Sequence, residues 1–251
     1  MPEEIYRKDL TGARLEEVDL SGSWWRNVYL RDVVMRGIWF QHVDIDGAID
    51  GLTINGVDVG PLIEAELDRR DPDRVLVRAE TVDDFRAGWA MTERRWAATM
   101  AHARSLPDGL LHERVRDEWS FVETLRHLVF ATDAWVLRVL LGDPAPYHPL
   151  GLPFTEMEEE VPGLVTDPGV RPSLDEIAEV RESRFAVVRQ VLADLTPERL
   201  DSTTTPVTEP GYPTSEPYAV RRALGAILTE EWLHREYAER DLAVLEQRSA
   251  G

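Results

Sequence analysis

The chain has no cysteine. Disulfides, a thiolate metal site and a cysteine nucleophile are therefore excluded, and any sulfur chemistry must draw its sulfur from outside. Lysine is nearly missing too. Of 28 basic residues only Lys8 is a lysine and the rest are arginines, a bias that reads as codon usage from a GC-rich bacterial genome. No stretch approaches the ~18 apolar residues of a membrane span. The start, Met1-Pro2-Glu3-Glu4-Ile5, lacks the basic residues and apolar run of a secretory signal. These absences predict a cytoplasmic protein. Positive charge is also scarce: 28 Lys and Arg against 47 Asp and Glu leave a net charge of −19. Such a surface repels phosphate backbones and anionic lipid heads, so nucleic acid and membranes are not expected partners. With 43% apolar residues in 251 positions, the chain can fill one large core or two modest ones.

The N-terminal part repeats every five residues. Leu10, Leu15, Leu20, Trp25, Leu30, Met35, Phe40 and Ile45 mark the centres, and small or β-branched residues such as Val18, Val28, Val33 and Val43 stand two positions before them. Neither a helix nor a flat strand has this period, whereas a β-solenoid does. Units such as Val18-Asp19-Leu20-Ser21-Gly22 resemble the pentapeptide-repeat family, which implies a four-sided right-handed β-helix of about two coils here. Some acidic members of that family mimic DNA and bind topoisomerases. Two coils are too short for that role, and a structural cap or a subunit contact in a homodimer is the favoured reading. The solenoid is expected over residues 1–60 and a connector over 61–80. Within them Asn55-Gly56 between apolar residues predicts a hairpin turn, Pro61 a helix start, and Asp71-Pro72-Asp73 its end.

From about residue 82 the period becomes helical, and residues 81–251 read as a four-helix domain. The first helix is expected over roughly 82–106. Ser120-Phe-Val-Glu123 is a capping box that starts the second at Phe121, which continues to near Gly142. Ser173-Leu-Asp-Glu176 is another and starts the third, which ends about Leu195. Ser215 with Pro217 predicts the start of the fourth, which runs to about Gln247. Loops 143–172 and 196–216 are long enough to frame a pocket.

Three residues stand out in this domain. Glu230 and His234 are four apart on the last helix and therefore share a face, and His127 on the second helix can supply a third ligand. Two His and one carboxylate suit a catalytic zinc or another divalent ion with an open coordination position. His127 lies off the main apolar stripe of its helix, so by itself it reads as an ordinary surface or hydrogen-bonded histidine. Glu231 competes for the carboxylate role, but Arg235 at four residues offers it an ion-pair partner. Tyr237 and Asp241 continue the Glu230–His234 strip as candidate catalytic or substrate-orienting residues. His42, His102, His112 and His148 have no spacing that points to a site.

The segments Glu118–Trp135 and Glu230–Leu242 resemble the DinB superfamily, a group unrelated to the DNA polymerase that shares its name. The resemblance covers about residues 80–247. It implies mainly α architecture: an up-up-down-down four-helix bundle with a divalent metal held by a triad from the second and fourth helices. Many members use three His, and Glu230 stands where the first His of the last helix would fall. A mycothiol-dependent relative pairs the same His, Glu, His set with zinc. The resemblance therefore implies zinc, with nickel, iron or manganese as alternatives. It also implies mycothiol as cosubstrate, in a thiol transferase or thiol-assisted isomerase acting on a small electrophile. A metal-bound thiol loses its proton readily and is a nucleophile at neutral pH. A metal-dependent hydrolase using bound water and a non-enzymatic interaction protein are the rival readings.

Overall fold

The computed structural model describes residues 4–154, 157, 164 and 167–249. The chain divides into two compact units, Met1–Ile49 and Asp50–Gly251.

In the first unit the five-residue period is written into the backbone. Arg7, Gly12, Glu17, Gly22, Asn27, Asp32, Gly37 and His42 all have φ between +46° and +75°, so the chain turns at every fifth residue. The strands and closed interior of a solenoid are not there among the described residues. No strand forms, and every repeat centre is exposed, from Leu20 at 44% to Ile45 at 66%. Its backbone hydrogen bonds are local, Ala13 N–H to Leu10 O at 2.9 Å and Ser23 N–H to Leu20 O at 3.1 Å. A repeat array buries its apolar faces only against stacked neighbours and caps, and two coils supply few of either.

The second unit begins with the hairpin, β1 (Thr53–Ile54) and β2 (Val57–Asp58), paired antiparallel with Ile54 opposite Val57. Asn55 and Gly56 have φ of +51° and +82°, the two left-handed residues that a two-residue type I′ turn requires. Helix α1 (Gly60–Arg70) follows with Pro61 in its first turn and stops at Asp71, whose side chain caps the 3-10 turn Pro72–Val77. That turn packs closely on α2 (Val82–Ala103) at Gly88, where an added Cβ would lie 2.7 Å from the Leu76 carbonyl.

The bundle consists of α2, α3 (Phe121–Thr132), α4 (Leu174–Ala193) and α6 (Val220–Ser249), with a short α5 (Pro197–Leu200) in the second long connection. The principal helix contacts are α2–α4, α4–α3, α3–α6 and α6–α2. They close a ring in which α2 and α3 stand on one diagonal and α4 and α6 on the other. Phe85, Trp89, Leu125, Leu128, Ile177, Leu224, Ile227 and Leu242 fill the interior. Thr81, Ser120 and Ser173 each close a capping box with the acidic residue three positions on, so α2, α3 and α4 begin where side chains satisfy their first free N–H groups.

Three boundaries differ from the sequence expectation. The first bundle helix ends at Ala103 rather than near 106. Beyond Thr132 the second continues as π-helix over Asp133–Leu140. Asp133 there is fully buried, accepts Arg184 Nε–H (2.8 Å) and His148 N–H (2.8 Å), and burial raises its carboxyl above the ordinary value. The last helix starts at Val220, not at Pro217. Tyr218 is held extended instead, its carbonyl accepting Thr204 N–H (2.8 Å) and its N–H donating to Thr204 Oγ1 (3.1 Å). These long-range bonds outcompete a local cap at Ser215. Part of the first long loop lies outside the described residues. No described helix is long and apolar enough to cross a membrane.

Candidate metal centre

His127 lies two turns into α3, behind the Ser120 capping box. Glu123 of that box is also clasped by Arg114 at 2.9 and 2.6 Å, which fixes the start of the helix. The imidazole is buried, 5% exposed for the whole residue, despite lying off the apolar stripe. Its Nδ1 faces the Leu152 carbonyl at 3.0 Å. A carbonyl only accepts, so Nδ1 carries a hydrogen, and Nε2 is the atom turned to the triad, where it takes either a proton shared with Glu230 or a metal ion.

Nε2 of His127 lies 3.4 Å from Glu230 Oε2, and Nε2 of His234 lies 3.1 Å from the same oxygen. One donor atom from each of the three residues falls within 4.8 Å of the others. Two imidazole nitrogens and a carboxylate oxygen thus crowd one point. Two electron-pair donors facing each other repel unless a proton or a metal cation lies between them, and a two-His, one-carboxylate set is a known donor set for divalent metals. The three residues form a group that could hold a metal ion.

The electrostatics favour an anionic Glu230. Burial pushes its carboxyl upward, but hydrogen bonds and charge from His127 and His234 outweigh that and hold it at about 2. The folded-state value is depressed. In the metal-free protein the resulting stability is present above the ordinary glutamate pKa near 4.5 and is lost as pH falls towards 2. Melting temperatures of the metal-free protein across that window should fall more steeply for the natural chain than for Glu230→Gln. Equal slopes would show that this carboxylate carries no such coupling.

Aromatic residues surround the triad. The Trp119 ring lies 4.5 Å from that of His127 and 5.8 Å from that of His234, stacked on the latter. Phe130 lies 6.1 Å from His127 and stacks on Tyr212 at 5.9 Å, and Phe154 meets Tyr212 edge-on at 5.1 Å. Tyr212 comes from the second long loop and is firmly held. The Tyr147 hydroxyl donates to its carbonyl (2.8 Å) and accepts its N–H (2.7 Å). Gly211 lies directly against these groups, and a Cβ there would be 2.6 Å from the Tyr147 hydroxyl. Burial first, and then the Glu230 charge, push the Tyr212 phenol upward, so it stays a protonated donor at neutral pH.

Tyr237 presents its ring edge-on to His234 at 5.9 Å. Asp241 is buried and paired with its neighbour Arg240 at 2.8 and 3.1 Å, so its oxygens are directed to a guanidinium. Glu231 does not use Arg235. It is fully buried and forms a two-bond pair with Arg181, 2.7 Å each, because the packed interior brings α4 closer than its own helix surface does. His148 is turned inward, its Nδ1 accepting Leu150 N–H (3.1 Å). His102 faces Glu239 at 3.4 Å and Glu246 at 3.5 Å, and His42 lies exposed in the first unit. The sequence reading missed Trp119, Phe130 and Tyr212. Trp119 left one signal: it stands directly before the helix cap, where an apolar residue usually packs on the fourth helical position, here the polar Thr124.

The family model described as the DinB superfamily matches residues 91–238, more than half of the chain, including all three triad residues. No curated protein and no solved structure matches.

Proposed function

This chain belongs to the DinB superfamily, and from that premise we propose that it is a metal-dependent thiol transferase or thiol-assisted isomerase. His127, Glu230 and His234 would hold a divalent ion, zinc foremost, and a small thiol of the mycothiol type would react with a small electrophile. The observation that carries this reading is the meeting of both His Nε2 atoms on one Glu230 oxygen. A divalent ion there supplies positive charge that favours the anionic form of a thiol at neutral pH.

The protein's own residues supply the rest. The Leu152 carbonyl keeps His127 Nδ1 protonated, so Nε2 is always the ligating atom. Glu230 contributes one negative charge to the site. Trp119 and Phe130 flank the triad with apolar rings, Tyr212 and Phe154 stand behind Phe130, and the Tyr212 hydroxyl can donate a hydrogen bond to an electrophile's oxygen. In transfer, a sulfur–carbon bond forms as the thiol proton passes to solvent and the electrophile's leaving group departs with the electron pair of the bond that breaks. In isomerisation, the thiolate adds to a C=C bond whose electron pair takes up a proton, the resulting single bond rotates, and loss of a proton then expels the thiolate unchanged. With no cysteine in the chain, the sulfur must come from the cosubstrate.

The first unit is proposed as a pentapeptide-type structural segment or subunit contact. The left-handed residue at every fifth position supports that reading.

The test offers zinc-loaded protein mycothiol and a panel of electrophiles while free thiol is followed. Thiol consumption that stops with chelator and in His234→Ala is the expected result. No thiol loss, with thiol-independent hydrolysis of an ester or amide, would move the assignment to a metal-dependent hydrolase.

A further inference from the structure

Arg126 stands beside His127 and is fully buried, yet among the described residues no carboxylate hydrogen-bonds to it. Four main-chain carbonyls surround its guanidinium instead. Nε–H donates to Leu150 O (3.0 Å), Nη1 to Val170 O (2.7 Å) and Pro168 O (3.4 Å), and Nη2 to Asp167 O (2.7 Å). The backbone adds a second connection: Leu152 N–H donates to the Arg126 carbonyl at 3.1 Å. The Leu152 carbonyl then accepts His127 Nδ1–H. A short closed circuit results, from the Arg126 side chain to Leu150, along the chain to Leu152, and from Leu152 back to both Arg126 and the His127 ring.

A buried guanidinium is costly unless its N–H groups are matched. Here its planar fork spreads over both ends of one loop, which a point-like ammonium cannot do. The loop carbonyl beside that grip is the one that orients a triad histidine.

We propose that Arg126 is a positioning residue of the metal centre: by gripping Leu150 and Asp167–Val170 it holds the Leu152 carbonyl where it fixes the His127 ring and tautomer, and so sets metal affinity. This rests on the reading of the triad as a metal site. Disturbing the direct partner of a ligating histidine, here the Leu152 carbonyl, commonly changes metal affinity about 10- to 100-fold.

The test uses the full chain and the metal alone. Zinc affinity by chelator competition and the visible spectrum of the cobalt-substituted protein are compared for the natural chain, Arg126→Lys, Arg126→Met and Arg86→Met. Arg86 bonds three carbonyls at the end of α4, Leu192, Ala193 and Leu195, and touches no triad residue, so it controls for loss of an arginine–carbonyl clasp. The expected result is zinc affinity about 10- to 100-fold weaker in both Arg126 variants with a shifted cobalt spectrum, and neither change in Arg86→Met. Folded Arg126 variants with natural affinity and an unchanged spectrum would overturn the proposal. If Arg126→Met does not fold, Arg126→Lys carries the comparison. Nitrogen-15 NMR of the natural metal-free protein needs no variant: His127 should carry a hydrogen on Nδ1, and a ring with its hydrogen on Nε2 alone would also overturn it. A natural chain that fails to hold zinc against the chelator would instead sink the metal reading itself.

Discussion

Replacing His127 or His234 with Ala should reduce bound divalent metal from about one ion per chain to almost none in protein purified without chelator. Each substitution removes one of three donors that meet within 4.8 Å, and the two remaining donors alone hold a divalent ion weakly. The loss has a thermodynamic counterpart. A ligand that binds only the folded state adds RT ln(1 + [L]/Kd), about 4 kcal/mol when free metal is a thousandfold above Kd. Chelator should therefore lower the melting temperature of the natural chain and leave both Ala variants unmoved. Glu230→Gln should behave like the His variants, and Glu231→Gln should keep its metal. Full occupancy in both Ala variants would mean that the triad is not the metal site.

Arg181→Ala should destabilise the bundle by about 3–5 kcal/mol in urea titrations, because it leaves Glu231 charged and unmatched in the interior. The pair is nearly dry: the Arg181 side chain is 6% exposed and that of Glu231 0%. The guanidinium also lies between Trp96 and Phe185, 5.2 and 4.7 Å from the ring centroids, so cation–π contact is lost along with the charge. Changing both partners to apolar residues of similar size, Arg181→Met with Glu231→Leu, should restore most of the loss, since no orphaned charge remains. A double variant as unstable as the single one would show that packing, not charge matching, dominates at this position.

Local chemistry in the sequence foretold local structure well. The capping boxes at Ser120 and Ser173, the Asn55-Gly56 turn and the Pro61 helix start are set within a few residues and appear where expected. The convergence of His127 with Glu230 and His234 was legible too, because helical periodicity fixes which residues share a face and the DinB resemblance supplied the pairing of helices. What depended on distant partners was not legible. Spacing offered Glu231 an arginine on its own helix surface, while the fold presents Arg181 from across the core. Spacing offers no partner for Arg126 or Arg138, and both are buried among loop carbonyls. No periodicity announces Tyr212, which stacks from a loop on Phe130 beside the triad, or the π-helical turns after Thr132, which shift the helical phase beyond His127. In the first unit the period was legible, but a period alone does not provide the stacked neighbours that strands and a core require.

Glu230 and Glu231 are successive residues of α6 that attach in different directions, one to His127 on α3 and the other to Arg181 on α4. The helix cannot rotate to relax one contact without straining the other. Its azimuth is thus set by a pair that needs no metal, and the three donors are assembled before any ion arrives. Uptake should then resemble simple capture rather than coupled folding, with a rate proportional to metal concentration and little change in far-ultraviolet circular dichroism. A donor set of two imidazoles and one carboxylate also suits several divalent ions, so the metal found in the isolated protein will reflect which ions its surroundings supply.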